Sequence, residues 1–346
     1  YVQMMTENMP NFRGAAAPYA LGYVPGPWMK GIQVSKGAAS VKNGYEAITG
    51  QINVDYKKPE DEEGIEVNLF GDTKSRIEAN ADANLHINKQ LSTEVLMHYE
   101  NSFENHDDNG DGFYDKPKVE QYNLQNRWLW AGEKYIFHGG IGALKEHRNG
   151  GQTGHRGNDG AELFRIGLDT ERYEAYMKHA FIIDRHKGTN IALMASGSMH
   201  MLDAGYGHKT YDVNEKNVYA SLVFETNFTK MHNLSAGLSL NHDYLGQTVR
   251  MVNDKEASPV RMNEKETVPG IYAQYTFNLD HRLTAMAGIR ADHSSVYGTF
   301  VTPRLHLKYM PTDILTLRLS AGKGYRTPHA LAENNYLLAS GRRLVI

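Results

Sequence analysis

Residues 107–115 read Asp, Asp, Asn, Gly, Asp, Gly, Phe, Tyr, Asp. Asp107, Asn109 and Asp111, followed by Gly112, stand at the first, third, fifth and sixth places of a calcium-loop spacing, with Asp115 at the ninth. Carboxylate and amide oxygens are hard donors that suit calcium. The twelfth place is Lys118, so the bidentate glutamate of such loops is missing and oxygens from another loop would have to complete the shell. The competing reading is a solvated acidic loop. A second set of donors is soft: Met4, Met5 and Met9 near the start, and Met199, His200 and Met201 further on. Thioether and imidazole suit copper(I), against ordinary apolar filling. His147, His155, His179, His186 and His208 are scattered in or near loops; some could serve haem or an iron chelate, and most are read as solvated. No Ser/His/Asp or paired-carboxylate arrangement can be argued from spacing, so no catalytic residue is assigned and an enzyme is not expected.

The composition narrows the classes. The chain has 346 residues, a net charge of -3, no cysteine and 21 tyrosines. Nucleic acid is not an expected partner, because its binders carry clustered positive charge. Disulfide scaffolds, cysteine-held zinc, iron–sulfur clusters and thiol nucleophiles are excluded. Mean hydropathy is -0.55, and no apolar run approaches the roughly 18 residues of a membrane helix. A membrane barrel stays open, since only alternate residues of its strands face lipid.

These donors must be held by strands. From Ile65 onward, segments of about ten residues alternate apolar and polar. Val218, Ala220, Leu222 and Phe224 share one face while Asn217, Ser221 and Glu225 share the other. Ile271, Ala273, Tyr275 and Phe277 alternate with Tyr272, Gln274, Thr276 and Asn278, and Leu283, Ala285, Ala287 and Ile289 with Thr284, Met286, Gly288 and Arg290. The strands exceed the five or six residues usual in soluble sheets, and their second face carries arginine. An apolar outer face around a wet interior fits a transmembrane antiparallel β-barrel. Short connections (278–282, 229–233) alternate with long polar ones (101–119, 146–163, 245–268), and thirteen or fourteen strands are expected. Arg127, Arg165, Arg172, Arg290, Arg304 and Arg318 are placed in the interior. Tyr122, Trp128, Trp130, Tyr135, Tyr173, Tyr176, Tyr206 and Tyr211 are placed in interface belts and loops. Parity counted from Ile191 and Leu193 puts Met199 and Met201 on the apolar face and His200 inside, unless a bulge near Gly197 reverses it.

The first 58 residues differ: they hold Pro25, Gly26 and Pro27, many small residues and no strand of barrel length. Here residues 34–57 carry Val34, Lys36, Gly37, Ser40, Gly44, Ala47, Gly50, Ile52, Asn53 and Val54 in an order that resembles the end of the plug domain of TonB-dependent outer-membrane receptors. Gly324, Tyr325, Arg326, Thr327 and Pro328, followed by Glu333, look like a Gly-Phe-Arg-Ala-Pro segment of the same family's barrels. Residues 43–46 also look like members from the Bacteroidetes.

The resemblance implies residues 1–58 as the end of a plug and 59–346 as the amino-terminal portion of a barrel of about 22 strands, within a longer precursor of a Gram-negative outer membrane. It implies active import of a metal or metal chelate of siderophore, haem or cobalamin type. TonB and the inner-membrane proton-motive complex would drive it. Lipid surrounds it, and a surface lipoprotein is a further partner. A copper importer is the alternative, since copper-importing relatives are similar in pairing a plug Met with a barrel His/Met pair, and Met5 and Met9 sit at the corresponding place. A passive porin or structural barrel, or a soluble β-rich protein or hydrolase, belongs to other classes; the plug segment argues against the porin.

Overall fold

The computed structural model describes residues 2–37, 39–46, 48–154, 162–251, 258–280 and 282–340. Two sheets divide the chain. The small one has the order β2-β1-β4-β3, from β1 (Val2–Thr6), β2 (Met9–Pro10), β3 (Met29–Lys36) and β4 (Gly50–Tyr56). The large one is an antiparallel meander of thirteen strands in sequence order. It starts with β5 (Gly64–Gly71), β6 (Arg76–His86), β7 (Leu91–Ser102), β8 (Lys118–Ala131), β9 (Tyr135–Gly151) and β10 (Arg165–Asp184). It continues through β11 (Thr189–Tyr206), β12 (Lys209–Thr229), β13 (His232–Met251), β14 (Val260–Leu279), β15 (Leu283–Ser294), β16 (Gly298–Thr312) and β17 (Leu315–Gly322). β5 and β17 are its edges.

The sheet is inside-out in its chemistry, as the alternation predicts. On β12, Val218 and Leu222 are exposed whereas Asn217 and Ser221 are buried. On β15, Ile289 is exposed beside buried Arg290. Apolar side chains turned outward and polar ones turned inward are stable only where lipid replaces water outside. At one end the fully described connections are short (87–90, 132–134, 185–188, 230–231, 313–314), and aromatic residues band the outer face there: Trp128, Trp130, Tyr135, Phe137, Phe181 and Phe277. Amphipathic rings settle at a membrane–water boundary.

Three expectations are corrected. Strands β9 to β14 reach 17 to 21 residues, so 146–151, 245–251 and 260–268 are strand rather than loop. These ends project past the apolar band, where outward residues such as Arg250, Arg261 and Asn263 are polar and the alternation that marks a strand disappears. Met199, His200 and Met201 do not end a strand either, since β11 continues to Tyr206. Finally Tyr176, Tyr206 and Tyr211 are not belt residues. They face inward, Tyr206 and Tyr211 being 2% and 0% exposed, and each hydroxyl finds a polar partner: Arg127, Asn335 and Gln247 respectively.

Candidate functional site

The small sheet lies against the inner face of the large one, and this contact is the candidate site. The plug-like motif builds its β3–β4 pair and the turns beside it. Val34 and Lys36 lie on β3, and Ile52 on β4 pairs with Val34 on one side and Met4 of β1 on the other. Gly37 turns the chain with φ +73. At Gly50 a Cβ would stand 2.7 Å from the Ser35 carbonyl, so only glycine lets β3 and β4 approach there. Ser40 caps the 3-10 turn Val41–Asn43, accepting from the Lys42 amide, and Gly44 closes that turn with φ +100. Asn53 accepts from the Asn8 amide at 2.7 Å. That bond fixes a two-residue hairpin turn in which Glu7 and Asn8 both have positive φ. Ala47 lies outside the described residues.

The wall grips this module through ionic and polar contacts. Glu7, 5% exposed, accepts from Arg127 at 2.7 Å and pairs with Lys178 at 3.5 Å. Arg127 also donates to the Lys57 carbonyl and the Tyr176 hydroxyl. Arg13 bridges Glu46 at 2.7 Å and Asp243 of the wall at 3.1 Å. The Ala15 amide donates to Glu215, Arg172 to Asn11, Lys42 pairs with Glu225, and Ser40 donates to Gln274. Around the 3-10 turn, Arg304 donates to the carbonyls of Ala39, Ser40 and Tyr45, and Arg290 to that of Val41. Of the six arginines placed in the interior from sequence, Arg127, Arg172, Arg290 and Arg304 hold the plug. Arg165 instead binds the Tyr114 hydroxyl and Gly154 carbonyl near the long loops, and Arg318 lies on the exposed edge strand.

Two buried plug carboxylates are pushed in opposite directions. Burial alone would raise Glu7, but the Arg127 and Lys178 charges outweigh it and hold its carboxyl below the ordinary glutamate range. Burial dominates at Glu46 and raises it despite Arg13. A depressed folded value means that stability from Glu7 is complete above the ordinary glutamate pKa and is lost as pH falls through the folded one. Acidification should therefore loosen residues 2–10 ahead of the barrel wall. Hydrogen exchange followed down a pH series will show this, and Glu7→Gln should flatten that pH dependence.

The metal-ligand candidates are dispersed. Met5 and Met9 are buried in the small sheet, with the Gln51 amide donating to the Met5 sulfur. β11 pairs with both neighbours without a bulge near Gly197, so Met199 and Met201 face outward and only His200 faces in, against Tyr23 at 6.0 Å between ring centroids. The wall thus separates the two methionine pairs, and the five residues do not form one copper shell. In the 107–115 loop, the two carboxylate oxygens of Asp107 accept from the Asp111 and Gly112 amides, and Asp115 accepts from the Asp108 amide. Asn109 and Asp111 hydrogen-bond each other. Among the described residues no three His, Asp or Glu side chains converge as a metal shell. His155 lies outside the described residues.

One part of the site is not legible from spacing. The segment after β17 folds back inside the sheet and covers the plug's 3-10 turn Gly14–Tyr19. Asn335, fully buried, accepts from the hydroxyls of Tyr19 and Tyr206. Tyr325 stacks on Phe300 at 3.6 Å, Arg326 pairs with Glu333, and His329 meets Glu264 at 2.8 Å. A cavity of about 440 Å³ between this segment and the plug is lined by Met4, Phe12, Arg326, Glu333 and Tyr336. The one sequence signal here was the Gly-Tyr-Arg-Thr-Pro run.

A large outward-apolar meander with a small sheet docked inside it can be compared with known proteins. The family described as TonB dependent receptor-like, beta-barrel, matches residues 79–341. The chain belongs to that family. Its place is therefore the outer membrane of a Gram-negative bacterium, and the family's members are transport receptors. Among solved structures the chain is similar to the alcaligin outer-membrane receptor FauA from Bordetella pertussis, with a TM-score of 0.71 and 13% identity over 92% of this chain and 53% of that one. It is also similar to the siderophore receptor PirA from Acinetobacter baumannii (0.70, 14%, 94% and 54%). The ferric preacinetobactin receptor BauA from the same organism gives 0.66, 13%, 92% and 55%. The chain spans about half the length of these structures. No curated protein matches it. At such identities the TonB-dependent receptors share the fold with this chain and nothing finer.

Proposed function

We propose that this chain is the plug-bearing half of an active importer for iron chelates of the siderophore class, driven by TonB from the inner membrane. One observation carries the reading. The small sheet is not hydrogen-bonded strand to strand with the large one; side-chain contacts join them, such as Arg127 to Glu7 and Arg304 to the 39–45 carbonyls. Such a module can move without unzipping a ladder, and while docked it blocks passive flow, which disfavours a porin. The neighbours whose names specify siderophores support the chelate class. Buried Met5 and Met9, separated from Met199 and Met201 by the wall, make copper the weaker reading.

The test is uptake of radiolabelled ferric siderophores by cells carrying the full-length receptor. Uptake should stop when an uncoupler dissipates the proton gradient or when TonB is deleted, while surface binding persists. Entry that continues in uncoupled cells would sink the active-import reading. Copper uptake should not respond to Met5→Ala or Met9→Ala.

A further inference from the structure

Inward-facing charge is unevenly placed on the large sheet. On β6 and β7 it is mostly acidic, with Glu78, Asp82, Glu94 and Glu100. On β15 to β17 it is basic. Arg290, Arg304, His306, Lys308 and Arg318 share the inner face there, because residues paired directly in an antiparallel register point the same way. Counting from Asp292 toward the short-turn end, this face carries no carboxylate; Asp280 and Asp313 sit in the turns.

Two features of this stripe are not explained by folding. Lys308 lies directly opposite Arg318, and like charges in that position destabilise a strand pair. Among the described residues, Arg304, 4% exposed, spends its two terminal nitrogens on plug carbonyls alone: Ala39, Ser40 and Tyr45. Arg290 differs, since it keeps Asp292 at 2.6 Å whatever the plug does. Withdrawal of residues 39–45 strips Arg304 of its acceptors, and a cation left unpaired inside a protein is strongly unfavourable until water or an anion meets it.

We infer that Arg304, Lys308 and Arg318 form a cationic track on the barrel wall, opened as residues 39–45 leave, which receives anionic metal chelates and leads them to the short-turn, periplasmic end. This rests on the import reading above. Arg304 exchanges neutral peptide carbonyls for a charged ligand, a stronger class of hydrogen bond. Lys308 and Arg318 continue the attraction further down, and like-sign groups lining a low-dielectric passage raise the local concentration of the opposite charge.

The test uses the full-length receptor in planar bilayers, with urea drawing the plug out reversibly and a potassium chloride gradient giving the reversal potential. The wild type should prefer chloride. Lys308→Gln/Arg318→Gln, which leaves the plug contacts untouched, should lower the chloride-to-potassium permeability ratio at least about threefold, as charged rings do when they set selectivity. Arg304→Gln should move the ratio in the same direction. Equal ratios in wild type and double variant would overturn the track, as would a urea-treated receptor that passes no current. The import reading is judged separately by uncoupler-sensitive uptake, so its failure and that of the track are distinguishable.

Discussion

Arg127→Met will loosen the plug by about 3–5 kcal/mol, the usual cost of removing one partner from a buried ion pair. Arg127 is 1% exposed and Glu7 5%. Their bond at 2.7 Å is the shorter of the two ionic contacts to Glu7, Lys178 standing at 3.5 Å. The same guanidinium holds the Lys57 carbonyl and the Tyr176 hydroxyl, and its carbon lies 5.6 Å from the Tyr56 ring centre. Methionine fills much of the space but answers none of these acceptors. Glu7 would be left with Lys178 as its ionic partner, at the longer 3.5 Å, in a turn position with φ +55, a conformation a non-glycine residue holds only when its surroundings insist. Hydrogen exchange is the direct readout, because the Tyr56 amide donates to Glu7. Protection at Tyr56 and Asn8 should collapse while β12 and β13 stay protected. Glu7→Gln in the same receptor should recover part of the loss by removing the stranded charge. Unchanged exchange at Tyr56 in Arg127→Met would refute the view that this pair seats the plug.

The barrel was readable because lipid imposes a period of two on every spanning strand, and Val218 to Phe224 or Leu283 to Arg290 display it without interruption. Strand ends were less readable for the same reason. Past the lipid, Arg250 and Arg261 face water on the outer side, and the contrast between faces fades. The interior arginines could be listed but not ranked. Arg127 and Arg318 look alike in sequence, yet one is sealed by Glu7 and the other lies on an edge strand. Pairings such as Arg304 with Tyr45, 259 residues apart, depend on docking that no local spacing encodes. The plug motif was readable as a pattern; its physical content emerged only in three dimensions. Gly50 admits the Ser35 carbonyl, and Asn53 holds the hairpin that delivers Glu7 to Arg127. Parity places Met199 and Met201 on the outer face, and the unbroken register of β11 agrees; the burial of Met5 and Met9 inside the small sheet is what spacing could not supply.

Gly288→Ala will dislodge the plug from the opposite side, and Val41→Ala will restore it. A Cβ at Gly288 would stand 2.6 Å from one Val41 methyl and 3.2 Å from the other. Val41 is fully buried, and a β-branched side chain has little rotamer freedom with which to yield. Gly288 pairs with Arg304 across β15 and β16, so the wall there is fixed by its ladder. The 3-10 turn must move instead, stretching the bonds from Arg290 to the Val41 carbonyl and from Arg304 to that of Ser40. Overpacking of this kind costs about 1–3 kcal/mol, and here it falls on docking rather than on the barrel. Faster exchange at residues 39–45 should accompany greater sensitivity of the cells to a large antibiotic that the outer membrane excludes. Removing the two methyl groups opens the space that the new Cβ needs, so the double variant should regain most of its protection while Val41→Ala alone creates a modest cavity. If the double variant exchanged as fast as Gly288→Ala, steric contact at Val41 would not be what sets the fit, and the guanidinium contacts alone would have to hold the turn.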